Sequence, residues 1–138
     1  MATILCIDAD PRVLATRKAL LEGKGYRVLI APNGAAGIEI SRKHTLDAVV
    51  LDFKPAGMDG NDVADVLAKE QPNVPVAISS DSPDNLPESL KWFADALLHE
   101  RAGAEALLLA IEKLIAVRSA AKKSPSRATV GTNEQLSA

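Results

Sequence analysis

Cysteine is nearly absent from this 138-residue sequence: Cys6 has no second cysteine to pair with, and no pair of histidines stands at metal-ligand spacing. That excludes a disulfide framework within the chain and a structural zinc centre, and a reducing, cytoplasmic setting is the expectation. Aromatic residues make up only 3% of the chain, too few for base-stacking platforms. An excess of one charge is lacking too. Sixteen Lys+Arg stand against eighteen Asp+Glu, and the resulting −2 gives no electrostatic drive toward nucleic acid. No apolar run is long enough to cross a bilayer, and the opening Met1-Ala-Thr-Ile-Leu-Cys-Ile-Asp8 has no basic leader, so neither membrane nor export is expected. The length fits one domain, which buries roughly 68–70% of its unfolded surface around a single core.

What is present is a rhythm. Ile4–Ile7, Arg27–Ala31, Ala48–Leu51, Val74–Ile78 and Ala96–Leu98 are short apolar runs, several of them continuous rather than alternating. Continuous runs mark parallel strands covered on both faces. The segments between them carry helical spacing, with Val13, Leu14, Leu20 and Leu21 in the first and Val63, Val66 and Leu67 in the third. The order is therefore (βα)5, an α/β fold whose right-handed crossovers give a doubly wound five-stranded parallel sheet. Cys6 falls within a strand and reads as core.

Asp10-Pro11 reads as an N-cap with proline at the first helical position, and Gly23 and Gly25 close that helix. The last helix is expected from about Ala104 to Arg118, with Leu107, Leu108, Ile111, Leu114 and Ile115 as its buried stripe and Leu109, Ala116 and Val117 off it. From Ser119 to Ala138 the sequence is small, polar and aperiodic. The expected organisation is one domain over 1–118 and a disordered C-terminal tail over 119–138.

Ligands of such sheets sit at the carboxyl ends of the strands. Asp8 and Asp10 follow the first strand, Asp52 ends the third, Ser80 follows the fourth and Glu100 the fifth, so five polar side chains converge on one end. Carboxylates closing buried strands need partners, and a hard cation such as Mg2+ is the usual one. With a cation there, an Asp carboxylate can attack a phosphoryl donor to form an acyl phosphate. Asp10 has a competing reading as a helix cap, and Ser80 as an ordinary turn residue of Ser79-Ser-Asp-Ser-Pro-Asp-Asn85. Trp92 and Phe93 end a short fourth helix as core or interface residues, while His44 and His99 stand alone.

Ile4-Leu-Cys-Ile-Asp8-Ala-Asp-Pro11, Leu46-Asp-Ala-Val-Val-Leu-Asp52, Met58-Asp-Gly60 and Pro75-Val-Ala-Ile-Ser-Ser80, taken together from Thr3 to about Val117, resemble the receiver domains of two-component response regulators. The resemblance implies a flavodoxin-like strand order 2-1-3-4-5 and a signalling role rather than an enzyme's. It implies Asp52 as phospho-acceptor and Ser80 as the hydroxyl that hydrogen-bonds the phosphoryl group, and the expected Mg2+ ligands are Asp8, Asp10, Asp52 and the Lys54 backbone carbonyl. It also implies a histidine kinase or phosphotransfer protein as donor and a downstream protein as reader, with a homodimer through the last helix as an additional option.

Three positions depart from the pattern. Ala9 stands where the family has a second acid, Glu100 where it has a lysine that pairs with the phosphate, and Leu97 where it commonly has a switching aromatic. Pro55 comes one position early, and Asp81 replaces a small neutral residue. These departures keep open a receiver-like adaptor or dimerisation module that works without phosphorylation. Ile7-Asp8-Ala-Asp10 also resembles the opening of haloacid-dehalogenase-type phosphatases, a third option in which Asp8 is nucleophile and Asp10 acid/base. The chain lacks that family's later motifs.

Overall fold

The apolar runs become strands, and the helically spaced segments become helices. The computed structural model describes residues 1–54 and 60–122. Its strands are β1 (Thr3–Ile7), β2 (Arg27–Ala31), β3 (Ala48–Asp52), β4 (Val76–Ser80) and β5 (Ala96–His99). Its helices are α1 (Pro11–Glu22), α2 (Gly34–Lys43), α3 (Gly60–Glu70), α4 (Glu88–Phe93) and α5 (Ala104–Lys122), with a 3-10 turn at Pro83–Asn85. All strand pairs are parallel, in the order β2-β1-β3-β4-β5, so the expected doubly wound, flavodoxin-like sheet is the observed one.

Strand alternation divides the core in two. Ile4, Cys6, Val50, Ala77 and Leu98 face α1 and α5 and pack on Leu14, Leu21, Leu107, Ile111 and Leu114. Leu5, Ile7, Val49, Leu51, Val76 and Ile78 face the other way, onto Ile38, Val63, Leu67 and Leu90 of α2, α3 and α4. Each face buries its own row of side chains, which is why the strands carry no polar alternation until their last residues.

Local signals set the helix ends. The Asp10 side chain accepts from the Arg12 N–H at 2.9 Å with Pro11 at the first helical position, as the sequence reading held. Gly23 caps the other end of α1, and Gly25 turns the chain into β2 with φ at +91°, a region open to glycine. Asn33 caps α2 by accepting from the Ala36 N–H at 2.8 Å.

Three expectations shift. β4 begins at Val76 rather than Val74, because the Val74 N–H is spent on the Gln71 carbonyl and Pro75 has none to give. α5 runs past Arg118 to Lys122, since Ser119-Ala-Ala-Lys122 offers no helix stop. The remainder of the expected tail, 123–138, lies outside the described residues, as do Pro55, Met58 and Asp59. Phe93 packs on the core as expected, whereas Trp92 is 86% exposed.

Candidate functional site at the carboxyl ends of the strands

β1 and β3 are neighbours in the sheet, but the chain winds away from them in opposite directions. The crevice this leaves at their carboxyl ends is where such sheets hold ligands. Asp8 leaves β1 there and Asp52 closes β3. Cys6 and Val50 pair across the two strands, so alternation brings the two acids, two residues further on, to the same face.

Asp8 is buried. One of its oxygens accepts from the Asp10 N–H at 2.9 Å, and the other lies 3.7 Å from Nη1 of Arg17. Asp52 is half-buried and receives a backbone hydrogen bond from Lys54. Its carboxyl is pushed up from 3.8 to about 6, first by burial and then by the charge of Asp8. Arg17 opposes that rise and Glu100 adds to it.

Glu100 therefore enters the site. With Asp52, Phe53, Lys54, Ser80 and Asp81 it lines a cleft of about 180 Å³. The backbone fixes it there, since the Glu100 N–H donates to the Ser80 carbonyl at 2.8 Å and carries β5 pairing one residue beyond the strand. Ser80 accepts from the Ser82 N–H at 3.0 Å through Oγ, and a hydroxyl that accepts can still donate. Lys54 stands exposed at the mouth with Nζ 3.5 Å from Asp81. His99 and Arg101 are exposed, and the Arg101 backbone N–H donates to Nδ1 of His99 at 3.0 Å.

The start of α3 depends on Gly60. A Cβ at this residue would stand 2.5 Å from the Phe53 carbonyl oxygen, so α3 can begin against the residue that follows Asp52 only without a side chain.

The sequence-predicted residues are thus brought together unequally. Asp8, Asp52, Ser80, Lys54 and Glu100 meet at one end of the sheet. Asp10 turns its carboxylate to the helix start, and the Arg12 N–H holds that carboxyl below its ordinary value. Both acids of the Asp-x-Asp pair are thereby hydrogen-bonded to backbone N–H groups, which does not favour an acid/base role for Asp10. Arg17 was not among the expected residues. Its signal is positional: it stands three residues after Leu14 and four before Leu21, on the buried stripe of α1. Cys6 is core, its thiol pushed up to about 12 by burial.

The donor set expected for Mg2+ is reduced in this chain. Mg2+ demands near-octahedral oxygen, but Ala9 supplies none, Asp10 is committed to its cap, and a guanidinium already faces Asp8. Among the described residues no three acidic, histidine or cysteine side chains are placed so that together they could hold a metal ion.

A doubly wound parallel sheet with an acid just after β1, another closing β3 and a hydroxyl closing β4 defines a class of signalling domains. The family model of the response regulator receiver domain matches residues 4–112, and the chain belongs to that family. It is 37% identical over 90 residues to the transcriptional regulatory protein ZraR of Klebsiella oxytoca, a match covering 64% of this chain but 20% of that protein. It is 35% identical over 80 residues to protein PilH of Pseudomonas aeruginosa, covering 56% of this chain and 66% of PilH. Among solved structures, a receiver domain protein from Clostridium thermocellum superposes with a TM-score of 0.79 at 29% identity, over 86% of this chain and 98% of that one. No helix among the described residues is long and apolar enough to cross a membrane.

Proposed function

We propose that this receiver accepts a phosphoryl group on Asp52 from a histidine kinase or phosphotransfer protein and passes the signal on by protein contact. The observation that carries the reading is Asp52 itself, a half-buried carboxylate at the mouth of a cleft it shares with the Ser80 hydroxyl. A carboxyl that titrates near 6 is mostly ionised at neutral pH and available as a nucleophile. Its oxygen attacks phosphorus as the bond to the donor's nitrogen breaks, and the Ser80 hydroxyl donates a hydrogen bond to a phosphoryl oxygen. The product is an acyl phosphate, which adds charge beside Asp8 and Glu100 and disfavours the resting arrangement of the cleft.

The output surface lies on α4, β5 and α5. Trp92, Leu97, Leu109 and Val117 are large apolar side chains exposed there, suited to a partner protein or to a second copy meeting through α5. Sedimentation of the wild type against Leu109→Asp/Val117→Asp distinguishes these two occupants.

One observation favours the alternative of a phosphorylation-independent adaptor: Glu100 lines the cleft where resembling receivers place a cation. Incubation with a small-molecule phosphodonor, followed by intact-mass measurement, separates the two. The proposal expects one phosphoryl adduct on the wild type and none on Asp52→Asn. No Asp52-dependent adduct, under conditions that label a competent receiver, leaves the adaptor reading standing.

A further inference from the structure

Arg17 is a charged residue on the buried stripe of a helix, with only 11% of its side chain exposed. Burying a guanidinium is costly unless acids answer it. The acid it meets is Asp8, 3.7 Å away and equally buried, and Nη1 makes no hydrogen bond among the described residues. The same pocket lacks the acid that the resemblance expects at position 9, where Ala9 stands exposed. Ala9 leaves the pocket one carboxylate short of that pattern, and the Arg17 guanidinium places a positive charge beside Asp8.

We propose that Arg17 is the resident cation of this pocket, compensating Asp8 and Asp52 in the role that the family resemblance gives to Mg2+, so that the acid pair is held without a divalent ion. This does not depend on whether Asp52 accepts a phosphoryl group, because the test reads metal binding and stability. The side chain arrives from α1 at the level of the last residues of β1 and β3, so its position is set by folding. Arginine also suits the task chemically, because it is always charged and weakly hydrated.

The test is calorimetric titration with MgCl2 and thermal unfolding of the full chain, as wild type, Arg17→Met and Arg17→Met/Ala9→Asp. Wild-type Tm is expected to move by less than about 1 °C in ~10 mM Mg2+, since a ligand that hardly binds hardly stabilises. Arg17→Met is expected to melt several degrees lower without Mg2+, about 4 °C or more, and to recover at least half of that loss when the ion is added. The double variant is expected to bind Mg2+ at least about tenfold more tightly than the wild type. Sub-millimolar Mg2+ binding by the wild type with a clear rise in Tm overturns the proposal, as does an Arg17→Met protein whose stability and Mg2+ response match the wild type. Should Arg17→Met fail to fold, Mn2+ titration of the wild type decides. Unbroadened amide resonances at Asp8 and Asp52 support a resident arginine, and selective broadening there contradicts it.

Discussion

The two ends of the sheet use the same residue types to opposite purpose. At the amino end, Asp47 accepts from the Thr3 N–H at 2.8 Å and Asp95 from the Val76 N–H at 2.8 Å, so each acid starts a neighbouring strand. Arg118 closes that end, donating to the Leu46 carbonyl at 2.8 Å with Nε 3.8 Å from Asp47. At the carboxyl end, Asp52 crowds against Asp8 and Glu100, and Arg17 faces Asp8 without a hydrogen bond from Nη1 among the described residues. Acids that bond the N–H starting a neighbouring strand build the fold. Acids that face one another in a cleft store unfavourable electrostatics.

Mutation should expose that difference as opposite signs. The largest effect is expected from Asp47→Ala, which strands the Thr3 N–H and removes the acid beside Arg118. Urea denaturation should show a loss of about 2–3 kcal/mol. Gly60→Ala should follow at about 1–3 kcal/mol, because its new Cβ meets the Phe53 carbonyl. Asp52→Asn should instead stabilise the protein at pH 7 by about 1–2 kcal/mol, by removing a carboxylate that folding holds above its ordinary value. A destabilised Asp52→Asn protein would erase the contrast between the two ends.

The contrast also predicts a pH dependence. The Asp52 carboxyl titrates at about 6 in the folded chain and near 3.8 when unfolded, so the folded state binds its proton more tightly. The stability this contributes is fully present below about pH 4 and is lost as pH rises through about 6. Wild-type stability measured from pH 4 to 7 should therefore fall relative to that of Asp52→Asn, and parallel curves would refute the assignment. The smallest effect is that of Glu100→Gln, which should lower the Asp52 titration midpoint by less than Asp8→Asn does, because Asp8 acts more strongly on Asp52.

The fold was legible because its strands are covered on both faces and so read as continuous apolar runs, with Asp10-Pro11 and Gly23 marking the ends of α1. Asp8, Asp52, Ser80 and Glu100 were legible because topology alone places them after strands. Arg17 was missed because arginines are ordinarily counted as solvated, and only its spacing to Leu14 and Leu21 marks it as buried. The exposure of Trp92 was equally illegible. It is adjacent in sequence to Phe93, but only Phe93 turns toward the core of the short helix α4. The extra turn of α5 depends on the absence of a stop signal, which composition reads as tail.

The central claim is that Asp52, Asp8 and Glu100 form one electrostatic site at the carboxyl end of the sheet. A carboxyl-detected NMR titration of the wild type and Glu100→Gln tests it directly. The account predicts an Asp52 midpoint of about 6 that moves down in the variant. A midpoint near the ordinary 3.8 that does not respond to Glu100 would contradict it.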